Sequence, residues 1–157
     1  MQSATDKDRF PSRKHPRQKN FDYSSPNYYF VTICTRDKNC IFGKPNHLNP
    51  WGAIAEMMLQ EVERHFPGVR IDHYVIMPNH VHVILILQGE GANVSHIIGQ
   101  YKAAVTRKIR ETAPLQKVWQ TSFHDHVIRN QKDYERIWLY IQANPQNWNK
   151  DCFFADI

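Results

Sequence analysis

Two histidines one residue apart, His80-Val81-His82, follow directly on the turn signal Pro78-Asn79. Side chains two apart in a strand leave the same face, so the two imidazoles project together and can share one divalent ion. Val81, Val83, Leu85 and Leu87 alternate with them and point the other way, into a core. A chain with nine histidines also produces such pairs by chance, and His124-Asp125-His126 is a second one. The pair gains meaning only beside a group with chemistry of its own. Tyr140 and Asn144, four residues apart, share one face of a helix. They lie beside an apolar stripe of Tyr134, Ile137, Trp138 and Ile141. A tyrosine at the edge of a buried face can turn its hydroxyl into a cleft, and Asn144 could bring an amide oxygen to the same ion. The plainer alternative is a packing tyrosine and an asparagine that closes the helix before Pro145.

These groups need a scaffold, and hydrophobic periodicity supplies one. Asn27 to Thr35 is rich in aromatic and β-branched residues and reads as a strand. From Trp51 to Phe66, Ile54, Met57, Met58, Val62 and His65 or Phe66 recur at helical spacing, and Pro67-Gly68 ends the run. Two strands follow, Val69 to Met77 and His80 to Leu87, joined by the tight turn. A second helix is expected from Val94 to Thr112, capped by Asn93 or Ser95, with Ile97, Ile98, Tyr101, Val105 and Ile109 buried. Val118 to Ile128 reads as a fourth strand and Gln131 to Ala143 as a third helix. The order β-α-β-β-α-β-α predicts an α+β fold. It is a ferredoxin-like antiparallel sheet with helices on one face and an added C-terminal helix carrying the tyrosine.

Twenty Lys and Arg against fifteen Asp and Glu give a net charge of +5 over 157 residues. That balance favours a polyanionic partner and says nothing about fold. Residues 1–20 carry Arg17 and Lys19 among other cations and read as a basic flexible arm, with residues 21–157 as one domain. On the second helix Lys102, Arg107, Lys108 and Arg110 lie off the buried stripe, suited either to DNA phosphates or to plain solvation. Three scattered cysteines offer neither a disulfide framework nor a CxxC zinc pair. With no apolar run of membrane-spanning length, no membrane partner and a cytoplasmic location are expected.

Taken together, five segments resemble the single-tyrosine HUH transposases, and within them the REP-associated tyrosine transposases. They are Tyr29-Phe30-Val31-Thr32, Met77-Pro78-Asn79-His80-Val81-His82, and Tyr101-Lys102-Ala103-Ala104-Val105-Thr106-Arg107. Trp119-Gln120 with Phe123 to Ile128, and Tyr140-Ile141-Gln142-Ala143-Asn144-Pro145, complete the set in the family's order. The resemblance implies that His80 and His82 hold a divalent ion and that Tyr140 attacks a DNA phosphate. Two His and an amide beside substrate phosphate suit Mg²⁺ or Mn²⁺, and Zn²⁺ could occupy the site in vitro. The expected products are a 5′-phosphotyrosine and a 3′-hydroxyl. Asn144 falls where related transposases carry a Gln as third ligand and is one methylene shorter. His126, or His124, could position phosphate or the leaving group. Single-stranded or hairpin DNA is the implied partner, and both homodimers and monomers occur among the related enzymes.

Three other readings compete. Histidine-triad nucleotide hydrolases also use alternating strand histidines, but the next position on this face is Ile84. A non-catalytic hairpin-binding protein would keep the same residues. Basic charge also suits RNA, which a preference for the 2′-hydroxyl would expose.

Overall fold

A computed structural model describes residues 26–89 and 93–157. The proposed arm with Arg17 and Lys19 lies outside the described residues. Three aromatic residues followed by three β-branched ones form β1 (Asn27–Cys34), which pairs antiparallel with two neighbours. A two-residue hairpin, β2 (Gly43–Lys44) with β3 (His47–Leu48), leads into α1 (Pro50–His65). Then follow β4 (Val69–Met77), β5 (His80–Leu87), α2 (Val94–Arg110), β6 (His124–Ile128) and α3 (Gln131–Ala143). The sheet runs β4-β5-β1-β6 with every pair antiparallel, the ferredoxin-like order with one helix added.

Strand alternation divides the protein into two layers. Val81, Val83, Leu85 and Leu87 pack with Val31 and Ile33 beneath α1 and α2, forming the main core. Every member of the expected α2 stripe is buried there. The opposite face carries Phe30, Ile84 and Ile128, covered by Ile137 and Ile141 of α3 in a second, smaller cluster. His80 and His82 belong to that face. Each helix begins on an asparagine whose side chain accepts a backbone N–H: Asn49 from Gly52, Asn93 from His96, Asn130 from Asp133.

Three expectations need correction. The buried face of α1 is Gly52, Ala55, Leu59 and Val62, whereas Met57 is exposed and Ile54 and Met58 are only partly covered. The helix packs through its small residues: a Cβ on Gly52 would sit 2.3 Å from the Phe42 carbonyl, and the Ala55 carbonyl accepts the Tyr101 hydroxyl at 2.9 Å. Strand β6 starts at His124, not Val118. Trp119 touches the ladder only in an isolated bridge to Thr35, and the Gln120 carbonyl turns away to Lys102 Nζ at 2.5 Å. Helix α2 ends at Arg110 rather than near Thr112, with Glu111 as its C-cap and Ala113-Pro114 three residues on, where the residue before proline avoids helical backbone.

Candidate metal and nucleophile site

Both site histidines are fully buried at the start of β5, in the middle of the sheet. His82 stands in register with Thr32 on β1, and Thr32 with His124 on β6. Thr32 Oγ1 lies 2.8 Å from His82 Nδ1, which leaves Nε2 as the atom that could meet an ion. His80 Nδ1 lies 2.8 Å from Asn79 Oδ1. The Asn79 amide nitrogen is committed to two backbone carbonyls, Lys38 at 3.1 Å and Phe153 at 2.7 Å. Its oxygen is therefore the atom facing His80, and His80 Nδ1 must donate.

The same reasoning orients Asn144, which is buried just past the C-terminal end of α3. Its amide nitrogen donates to Asp151 Oδ2 at 2.6 Å, while Asp151 Oδ1 accepts the Phe153 N–H at 2.8 Å. Asn144 Oδ1 is left facing His80 Nε2 at 3.3 Å, with Asp151 Oδ2 at 3.9 Å. A neutral His80 thus turns a lone pair toward two oxygen acceptors. Such a cluster is favourable only around a cation, either a proton on Nε2 or a metal ion. Burial pushes the His80 pKa down against the opposing pull of Asp151. Burial, with His80 alongside, lowers His82 further. At neutral pH the proton is disfavoured and the donor set fits a metal. One ligand atom each from His80, His82 and Asp151 lies within 4.8 Å of the others.

Asp151 is the residue that sequence reasoning missed. It follows Asn144 by seven residues, beyond a helix end and a proline, where no periodicity points to a face. The only signal was an acid followed at two and three residues by Phe153 and Phe154 in a polar stretch.

Tyr140 approaches from α3. Its ring centre is 5.3 Å from that of His82 and 6.4 Å from that of Phe30, both edge-on, and its hydroxyl oxygen is buried. A cavity of about 200 Å³ opens beside it, lined by Tyr140, Asn144, Asn147, Lys150 and Asp151. Phe153 covers the histidines, 4.6 Å from His80 and 6.1 Å from His82 between ring centres.

The remaining expected site residues divide. Lys102, Arg107 and Arg110 line one cleft of about 460 Å³, joined by Arg36 and Lys117, which the sequence reading did not include. Among the described residues no acidic one lines it. Lys108 stands apart, 3.3 Å from Glu111. His126 bonds Asp133 at 2.6 Å, and Arg136 holds the other oxygen of that carboxylate at 2.8 Å. The geometry gives His126 the work of tying β6 to α3.

The family model described as "Transposase IS200 like" matches residues 22–144. The chain belongs to the IS200-like transposase family. Among relatives of this transposase, an uncharacterized protein of Haemophilus influenzae is 32% identical, over 92% of this chain and 94% of its own. A REP-associated tyrosine transposase of Escherichia coli is 33% identical over 55% of this chain and 56% of its own. A solved REP-associated tyrosine transposase bound to a REP hairpin superposes with a TM-score of 0.66 at 24% identity, covering 86% of this chain and 74% of that one. No helix among the described residues is long and apolar enough to cross a membrane.

Proposed function

We propose that this transposase cuts and rejoins single-stranded DNA through a covalent bond to Tyr140, at a site formed with His80, His82, Asn144 and Asp151. The observation that carries the reading is the meeting of a tyrosine ring, 5.3 Å from His82, with a cluster of acceptors suited to a cation. Mg²⁺ or Mn²⁺ bound there would polarise the scissile phosphate and so lower the demand on a weak nucleophile. Tyr140 Oη attacks phosphorus, the bond to the 3′-oxygen breaks, and the leaving oxygen takes up a proton. Because the phosphodiester energy is kept in the phosphotyrosine, a 3′-hydroxyl can reverse the step and join new ends.

Lys102, Arg107 and Arg110, with Arg36 and Lys117, meet backbone phosphates in their shared cleft. Lys108, Arg17 and Lys19 add longer-range attraction. His126 acts by holding α3, and with it Tyr140, against the sheet. Hairpin DNA as substrate draws support from the solved relative, which is bound to a REP hairpin.

The test is incubation with labelled hairpin DNA bearing single-stranded flanks, in Mg²⁺ or Mn²⁺. A denaturation-resistant adduct is expected, lost in Tyr140→Phe and on chelation. Tight binding with no adduct would favour a non-catalytic hairpin binder. An adduct that survives Tyr140→Phe would name a different nucleophile.

A further inference from the structure

At the other end of α3 from the metal ligands lies a cavity of about 630 Å³ that the proposed chemistry does not use. Tyr28 and Tyr134 meet edge to face in its wall, ring centres 5.8 Å apart at 66°. Both rings are half-buried. Asp72 reaches the same cavity through a defect in the sheet. Ile71 pairs with Leu85 and His73 with Ile84, so Asp72 is the extra residue of a β-bulge and has no place in the ladder. Its Oδ2 accepts the Tyr134 hydroxyl at 2.6 Å, and its Oδ1 takes no hydrogen bond among the described residues. That bond holds Tyr134 protonated, pushing its pKa up to about 12. Arg129 lines another wall and belongs to no ion pair among the described residues.

We propose that this cavity takes one unpaired nucleobase of the DNA strand, guanine by preference. Three features ask for it together. An aromatic face stacks any base. A carboxylate oxygen accepts N–H groups, and guanine presents a ring N–H beside an amino group, whereas thymine flanks its single N–H with carbonyls that the carboxylate repels. An unpaired guanidinium meets the nucleotide's phosphate. The thirteen residues of α3 separate cavity and metal site, on the order of 20 Å at the helical rise. An extended strand covers that with a few nucleotides. The inference rests on single-stranded DNA being the substrate, and it adds a reading of sequence to that chemistry.

The experiment replaces each flank nucleotide of the hairpin in turn by an abasic site and measures affinity and Tyr140 adduct with the full chain. One position a few nucleotides from the cleaved phosphate should lose on the order of tenfold in affinity. Guanine should bind there better than thymine. Tyr28→Ala should flatten the abasic penalty, and Asp72→Asn should remove the preference for guanine while adduct still forms. A flat scan in a wild-type protein that forms the adduct overturns the pocket and leaves the nuclease reading standing. So does an unchanged scan in both variants. A photocrosslinker at Tyr28 that captures residues 1–25 of the same chain in the presence of DNA, instead of the DNA, also overturns it. Absence of binding to any DNA removes both readings.

Discussion

Asp151 holds the amide nitrogen of Asn144 at 2.6 Å, and by doing so turns the Asn144 oxygen toward His80. A carboxylate from the C-terminal segment thereby decides which atom the helix presents to the site. Asp151 thus both offers an oxygen of its own to the candidate site and orients Asn144. Loss of the orienting role alone commonly changes metal affinity by about 10- to 100-fold. Asp151→Ala should weaken Mn²⁺ binding by that order in calorimetry. Asp151→Asn, which can still meet an amide but brings no charge, should fall between it and wild type. Equal affinity in all three would detach Asp151 from the site.

The buried imidazoles set a pH dependence. His80 and His82 are lowered by burial, and so is His73, which adds in the same direction. The unfolded chain takes up protons near the ordinary histidine pKa of about 6.5, while the folded chain does not until lower pH. The unfolded state then binds more protons, so stability falls as pH drops below that value. The slope is at most about 1.4 kcal/mol per pH unit for each such histidine. Urea denaturation of chelator-treated protein at pH 7.5, 6.5 and 5.5 should give a shallow fall over the upper interval and a steeper one over the lower. His82→Asn should make the lower interval shallower, and a wild-type profile flat throughout would contradict the burial argument.

Phe153 lies over both histidines, and the Lys38 ammonium sits 5.5 Å from its ring centre. Phe153→Ala should expose His80 and His82 to diethyl pyrocarbonate, read by mass spectrometry, at a rate well above wild type. The backbone carbonyl that accepts from Asn79 remains, so the turn is expected to hold. An unchanged modification rate would mean that another group covers the site.

The five cations of the cleft should act as a set on DNA. Each lost phosphate contact lowers the salt slope of single-strand binding by about 0.7. Arg107→Glu combined with Lys117→Glu should reduce both affinity and slope, and Lys108→Glu, outside the cleft beside Glu111, should change them less. Filter binding across a salt series measures this, and an equal effect from Lys108→Glu would argue for diffuse attraction.

Much of the frame was legible because its signals are periodic. The α2 stripe and the alternation of β5 needed only residue spacing, and they place the histidines and the two helices on opposite faces. The error on α1 has a steric origin. Large apolar residues marked one face, but Gly52 and Ala55 allow the close approach, so the helix turns its small side inward. The fourth strand was overdrawn because Trp119 is buried for packing, against Phe42 and Tyr101, without joining the ladder. Helical spacing put Tyr140 and Asn144 on one face of α3, and the structure sets that face beside His80 and His82. Asp151 did not, since its place depends on a chain reversal after Pro145 that no pattern encodes.

The two separate apolar clusters have a consequence for how this protein opens. Tyr140 rides on a helix held by the smaller cluster, Phe30, Ile84, Ile128, Ile137 and Ile141, while the larger core lies wholly on the far side of the sheet. Free energies of local opening follow the apolar contacts that must be broken. In native-state hydrogen exchange, amides of α3 should therefore exchange by a partial opening that leaves α1, α2 and the central strands protected. Ile137→Ala should speed α3 exchange selectively. Tyr140 can then move away from His80 and His82 while the rest of the domain stays folded, so the proposed activity should be lost at a lower temperature than structure.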